Sequence, residues 1–250
     1  QQLFKAAPAT DGSTLSCNFC HNNAGANDAA GGGRNFATGA AFAPNAPTCS
    51  QPSVPIEGDG GFGGTPELIR NASTFCANPA SFDVMFRGDL GFNSQSVIEA
   101  ADTAPFFHNN IAQTVEETVA FYTSDTFRNS GSGNGRAFDL SNEQINKIAA
   151  FMRSLNVLEN IRSSNGYDQQ ARLQIDPRRR DTIGLGIKET SDAIAVLTGG
   201  PLPIYAGTDV LKLLTRARAL QQQARQSLRP QPLLNSATAL KNQARKLIVN

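Results

Sequence analysis

The chain holds no tryptophan and only two histidines, two methionines, three tyrosines and four cysteines in 250 residues, so any chemistry built on such side chains has few donors. It has no long apolar run, which excludes a membrane-spanning helix. No stretch alternates convincingly between apolar and polar residues, so the expected class is mainly helical, all-α. The glycine-rich stretches never end in Gly-Lys-Ser/Thr and have no strand-to-helix context, which removes a phosphate cradle. Disorder is excluded too, because 40% of the residues are hydrophobic, enough for a core.

The net charge of +1 conceals a division. Residues 1–165 carry nine basic against fifteen acidic side chains, and residues 166–250 carry thirteen against six. Two parts are expected on that ground, 1–165 and a basic helical extension, 166–250. The basic residues of the second part are spread through helical patterns without interleaved aromatics, so nucleic acid is not the expected partner and an acidic protein surface is.

What is present is concentrated in Cys17-Asn18-Phe19-Cys20-His21. Two thiols three residues apart followed directly by an imidazole form the C-x-x-C-H spacing that attaches a c-type haem, one covalent haem c here, with His21 as the proximal iron ligand. A zinc half-site would need a second ligand cluster, and a redox dithiol a βαβ context; neither is visible. Cys49 and Cys76 remain as an even pair, expected to form a disulfide. Covalent haem and a disulfide together point to an oxidising compartment, the bacterial periplasm, and the sequence reads as an exported product whose targeting segment has been removed.

Leu3 and Phe4 suggest a short helix before Pro8 and Gly12 break the chain. Residues 22–64, rich in Gly, Ala, Asn and Pro, read as long irregular loops, with the Cys49–Cys76 link as their staple. Thr114-Val115-Glu116-Glu117 and Ser141-Asn142-Glu143-Gln144 are capping boxes that predict two helix starts. After the first, Val115, Thr118, Val119 and Tyr122 fall on one face, turning Tyr122 inward with the valines. After the second, Ile145, Ile148, Ala149, Met152 and Leu155 form a stripe that makes Met152 core filling. Further on, Val210, Leu213, Leu214, Ala217, Leu220 and Ala224 predict one helix and Leu233, Leu234, Ala237, Leu240, Leu247 and Ile248 another, separated by Pro230-Gln231-Pro232. This extension either packs on its own haem domain or serves as a docking arm for another subunit. The sixth iron ligand is left among His108, Met85 and Tyr122 by residue chemistry alone.

"TAPFFHNN" at 103–110, "QTVEETVAFY" at 113–122 and "LSNEQINKIAAFMRSL" at 140–155 resemble, in order and spacing, the C-terminal haem domain of the bacterial di-haem cytochrome c peroxidase family, which includes the MauG-type enzymes. The resemblance covers roughly 1–162. It implies a cytochrome c-like haem domain and electron transfer within a peroxidase-like or MauG-like oxidoreductase. In that family the sixth ligand, Met in the peroxidases and Tyr in the MauG type, lies fourteen residues after the histidine of the first of these motifs, His108 here; that position here is Tyr122. The order of candidates becomes Tyr122, His108, Met85.

Three departures accompany the likeness. One C-x-x-C-H is present where the family has two, so a second haem is expected on another chain or a removed domain, in a hetero-oligomer. The family's P-T-L-R-N segment falls on Gln95-Ser96-Val97-Ile98-Glu99 without its arginine, and Arg70, in "TPELIRN", stands in as the haem-propionate partner. The tryptophan that relays electrons between the two haems of MauG-type enzymes is missing. The alternative expectations are a stand-alone mono-haem electron carrier or sensor, and an oxygen-activating haem protein with His108 as distal acid or base.

Overall fold

The computed structural model describes residues 1–21, 96–107, 110–130, 132–200, 204–205 and 207–249, and the backbone of 35–36 and 92–93. These residues are mainly helical, and the chain divides into two compact units.

The first unit is Gln1–Val97 with Thr103–Ala149. Its N-terminal part runs α1 (Gln2–Lys5), β1 (Ala7–Pro8), β2 (Thr14–Leu15) and α2 (Cys17–Cys20). Phe4 buries as the apolar anchor of α1. Beyond it β1 and β2 pair antiparallel, Ala7 opposite Leu15, through a turn in which Gly12 takes φ 80° and Asp11 accepts from the Ser13 amide at 3.0 Å and hydroxyl at 2.6 Å. Two-residue strands β3 (Asn35–Phe36) and β4 (Phe92–Asn93) form a second antiparallel pair. These pairs are too short to show as alternation in the sequence.

Then come α3 (Val115–Phe121), α4 (Asp125–Arg128) and the start of α5 (Asn142–Arg172). Both predicted capping boxes are present. The Glu117 amide donates to Thr114 Oγ1 at 3.1 Å while the Glu117 carboxylate accepts from the Thr114 amide at 3.2 Å. In the second box the Gln144 amide donates to Ser141 Oγ at 3.3 Å and the Ser141 amide to Gln144 Oε1 at 2.8 Å. Each satisfies backbone donors that a helix start leaves over. Met152 is buried, as its stripe predicted.

The second unit is Ile98–Asp102 with Ala150–Asn250. Its long elements are α5 from Ala150, α6 (Arg178–Thr198), α7 (Asp209–Gln226) and α8 (Gln231–Val249), arranged as a four-helix bundle with three layers. One apolar layer holds Val157 and Ile161 of α5, Ala193, Val196 and Leu197 of α6, Val210 and Leu214 of α7, and Ala244 of α8. The other end is closed by Ala171, Ile183, Ala224 and Leu234, one from each helix. Between them lies a polar layer of Ser164, Asp168, Thr190, Gln221 and Lys241, all buried.

That layer is closed by hydrogen bonds. Lys241 Nζ donates to Asp168 Oδ2 at 2.8 Å and to Ser164 Oγ at 2.6 Å; Gln221 Nε2 donates to Asp168 Oδ1 at 2.8 Å and Ser164 Oγ at 3.1 Å. Thr190 Oγ1 stands 2.8 Å from Gln221 Oε1 and 2.8 Å from Ser164 Oγ, which itself donates to the Gly186 carbonyl at 2.9 Å. Gly186 has a reason to lack a side chain: a Cβ there would stand 3.1 Å from Gln221 Nε2 and 3.2 Å from Asp168 Oδ1.

The expected division at 165/166 falls inside α5, which continues through Gly166 to Arg172, whereas the two units divide between Ala149 and Ala150. A mid-helix glycine costs about 1 kcal/mol against alanine; the burial of Ile161, Ser164, Asp168 and Ala171 around it holds the helix together. The charge change at 165 is therefore a change of surface, carried along an uninterrupted helix.

Candidate functional site

The pentapeptide 17–21 forms one helical turn and its exit. Ser16 caps it in extended conformation, Cys17 to Cys20 make α2, and the His21 amide donates to the Cys17 carbonyl at 2.9 Å. Residues three apart share a helix face, so this turn sets Cys17 and Cys20 on one side with His21 directly after them. Phe19, between the two thiols, points away into solvent. Neither cysteine is in a disulfide.

Cys17 packs with Leu15 and Tyr122 against a buried cluster of Ala7, Phe127, Ala137 and Phe138. Apolar surroundings push its thiol up to about 11, because the thiolate is the form that burial penalises.

Tyr122 ends α3 and keeps helical geometry there. Val115 and Val119 on the same helix are buried, and the Tyr122 ring is surrounded by phenylalanines: it lies edge-on to Phe127 at 5.1 Å, Phe121 at 5.6 Å and Phe138 at 6.2 Å, and tilted to Phe107 at 6.2 Å. The residue as a whole is partly exposed while its hydroxyl end is surrounded by protein. Burial raises the phenol well above the usual tyrosine range, and the proximity of Cys20 and Cys17 adds to the shift. The side chains of Tyr122, Cys17 and Cys20 thus occupy one site although the chain separates them widely.

Backbone contacts hold the pieces together. The strand-like segment 137–139 lies against both: the Thr10 amide donates to the Ala137 carbonyl at 3.0 Å and the Asp139 amide to the Pro8 carbonyl at 2.8 Å, while the Phe138 amide donates to the Tyr122 carbonyl at 3.1 Å. The hairpin that leads into the C-x-x-C-H turn and the helix that ends in Tyr122 are therefore attached to the same three residues. The tight turn before them needs Gly133, whose added Cβ would fall 2.0 Å from the Phe127 carbonyl oxygen.

His108 lies outside the described residues, as do Arg70, Met85, Cys49 and Cys76. The Phe106 amide donates to the Ala112 carbonyl at 2.7 Å in an antiparallel bridge, and the ring of Phe107 sits 4.7 Å from Phe121. The aromatic set Phe107, Phe121, Phe127 and Phe138 is what sequence reasoning missed. The phenylalanine abundance and the Phe106-Phe107 pair were visible, but convergence of residues from three segments leaves no periodic trace.

The donor set fits a covalently held haem: two thiols on one helical face, an imidazole at the exit, and an apolar aromatic wall bearing one buried phenol. Among the described residues no three His, Cys, Asp or Glu side chains converge as a metal-holding group. Compared with protein-family models, curated proteins and solved structures, the chain matches none.

Proposed function

We propose that the first unit is a cytochrome c-like domain that binds one haem c and transfers electrons as part of a di-haem peroxidase-like or MauG-like oxidoreductase, the second haem being held by another chain or a removed domain. The observation that carries this reading is the packing of Tyr122 and Cys17 against one buried cluster, with Cys20 close by. It joins the residues that spacing and resemblance nominate independently.

In this reading Cys17 and Cys20 would hold the group through thioethers and His21 and Tyr122 would supply the iron's ligands, with His108 next in order after Tyr122. The group, when bound, supplies an iron that accepts and releases single electrons. The protein's part is to exclude water with Phe107, Phe121, Phe127 and Phe138, to fix the main chain that carries Tyr122 through the Phe138 backbone bond, and to let the Tyr122 phenol lose its proton only against a compensating positive charge. A phenolate donor favours the oxidised states, whereas a thioether such as Met85 would raise the potential. Arg70 is assigned to the propionates, and export to the periplasm follows from the covalent attachment.

Optical and resonance-Raman spectra of wild type, Tyr122→Phe and His108→Ala test the assignment. Loss of a phenolate-to-iron band in Tyr122→Phe alone is expected; unchanged axial ligation in both variants sinks it.

A further inference from the structure

Two short connections close one end of the four-helix bundle: 173–177 between α5 and α6, and 227–230 between α7 and α8. They lie together, because Ala171, Ile183, Ala224 and Leu234 cluster directly beneath them and Arg172, the last residue of α5, donates to the Leu234 carbonyl at 3.2 Å and to Thr238 Oγ1 at 2.8 Å. Out of these connections stand Leu173, Ile175 and Leu228, which are 87%, 83% and 86% exposed.

A lone exposed leucine is ordinary; three nearly naked aliphatic side chains on one end of a bundle form a feature with a use. Around them Arg178, Arg180 and Arg229 are exposed, while the Arg225 guanidinium lies back along the bundle beside Gly184 of α6. The acids of the same segments are Asp176 and Asp181, and Asp176 is already engaged by Arg179 at 3.0 Å and Arg180 at 3.1 Å. The end is an aliphatic tip in a cationic collar.

We propose that this end of the bundle docks on the surface of an anionic phospholipid bilayer, with Leu173, Ile175 and Leu228 entering the acyl boundary and the arginines pairing with headgroup phosphates. The chemistry of the tip selects this occupant over a protein. A stable protein interface engages about 20–30 residues a side and anchors on aromatics, whereas these connections are short and contain no aromatic residue. A bilayer needs no complementary relief: a few aliphatic side chains and a basic rim suffice for reversible binding. No helix of the described residues is long and apolar enough to cross the membrane, so the contact is peripheral. The proposal is independent of the haem assignment.

The test is flotation of the full chain, as purified, with phosphatidylcholine vesicles containing or lacking phosphatidylglycerol. Wild type is expected to float with the anionic vesicles and about tenfold less with the neutral ones. Leu173→Ser/Ile175→Ser/Leu228→Ser, which keeps every charge, and Arg178→Gln/Arg180→Gln/Arg229→Gln, which keeps every aliphatic, are each expected to lose about tenfold in bound fraction. Because the altered side chains are exposed, far-UV circular dichroism and melting temperature should match wild type. Failure of wild type to float overturns the proposal and leaves the tip to a protein partner; equal flotation on both vesicle types, or wild-type flotation by either variant, overturns it as well.

Discussion

Phe138 is where three separate parts of the candidate site meet: its ring faces Tyr122 and Phe127, its amide holds the Tyr122 carbonyl, and its neighbours Ala137 and Asp139 hold the N-terminal hairpin. Phe138→Ala is expected to cost about 3–5 kcal/mol in denaturant unfolding, the range for emptying a buried phenylalanine site. On the proposed haem reading it should also alter the ligand spectrum, since the support of Tyr122 is lost. Gly133→Ala should destabilise by about 1–3 kcal/mol or more, because a Cβ 2.0 Å from a backbone oxygen forces the main chain to move. Chemical denaturation of the two variants beside wild type checks both. Thr114, Glu117, Ser141 and Gln144 were legible as caps because a capping box is a local code four residues long. Phe138 was not, because its role comes from partners far along the chain.

At the scale of elements, the polar layer of the bundle raises the sharpest question, since Asp168 and Lys241 are both fully buried. Breaking one member leaves an uncompensated charge, so Lys241→Met alone is expected to cost about 3–5 kcal/mol, while Asp168→Leu/Lys241→Met should recover most of that loss. Equal instability of the single and double variants would show that Ser164 and Gln221, with their own lost partners, dominate the layer. The pair also predicts a pH dependence. Burial holds the Lys241 ammonium below the usual lysine range, Asp168 opposing the shift. Between its folded value and the unfolded value of 10.5 the unfolded chain binds more protons, so this group makes stability rise with pH through that window and adds no slope below it, where both states hold the proton. Wild type should show this slope in alkaline unfolding measurements and Lys241→Met should lack it. The residues were signalled faintly in the sequence: Gln221 lies four positions after Ala217 and Lys241 four after Ala237, polar side chains on apolar stripes. Helix α6 was less legible still, because a helix facing neighbours on several sides has no clean amphipathic period.

For the whole molecule, the proposed division of labour between a haem-binding unit and a helical bundle predicts a partner. Under gentle, low-salt purification the chain is expected to co-purify with a second haem-bearing protein, the association weakening as ionic strength rises past about 0.15 M, where the screening length is about 8 Å. A chain that stays monomeric with one haem and no such partner favours the stand-alone carrier instead. Mass spectrometry supplies a simpler check: wild type should carry the mass of one haem, and Cys17→Ala/Cys20→Ala should carry none. The basic part, expected either to pack on its own domain or to serve as a docking arm, belongs to a four-helix bundle with a core of its own.

The sequence by itself determined what short-range chemistry can specify: a mainly helical class, two capped helix starts, the C-x-x-C-H turn, the stripe that buries Met152 and the apolar stripes of α7 and α8. Each depends on residues within a few positions of one another, so spacing alone carries it. Only the tertiary structure decided that Tyr122 stands among phenylalanines beside Cys17 and Cys20, that α5 runs unbroken through Gly166, and that Lys241 closes a buried polar layer. Those outcomes depend on which distant surfaces exclude water together, and a contact between segments far apart in the chain leaves no period in the sequence to read.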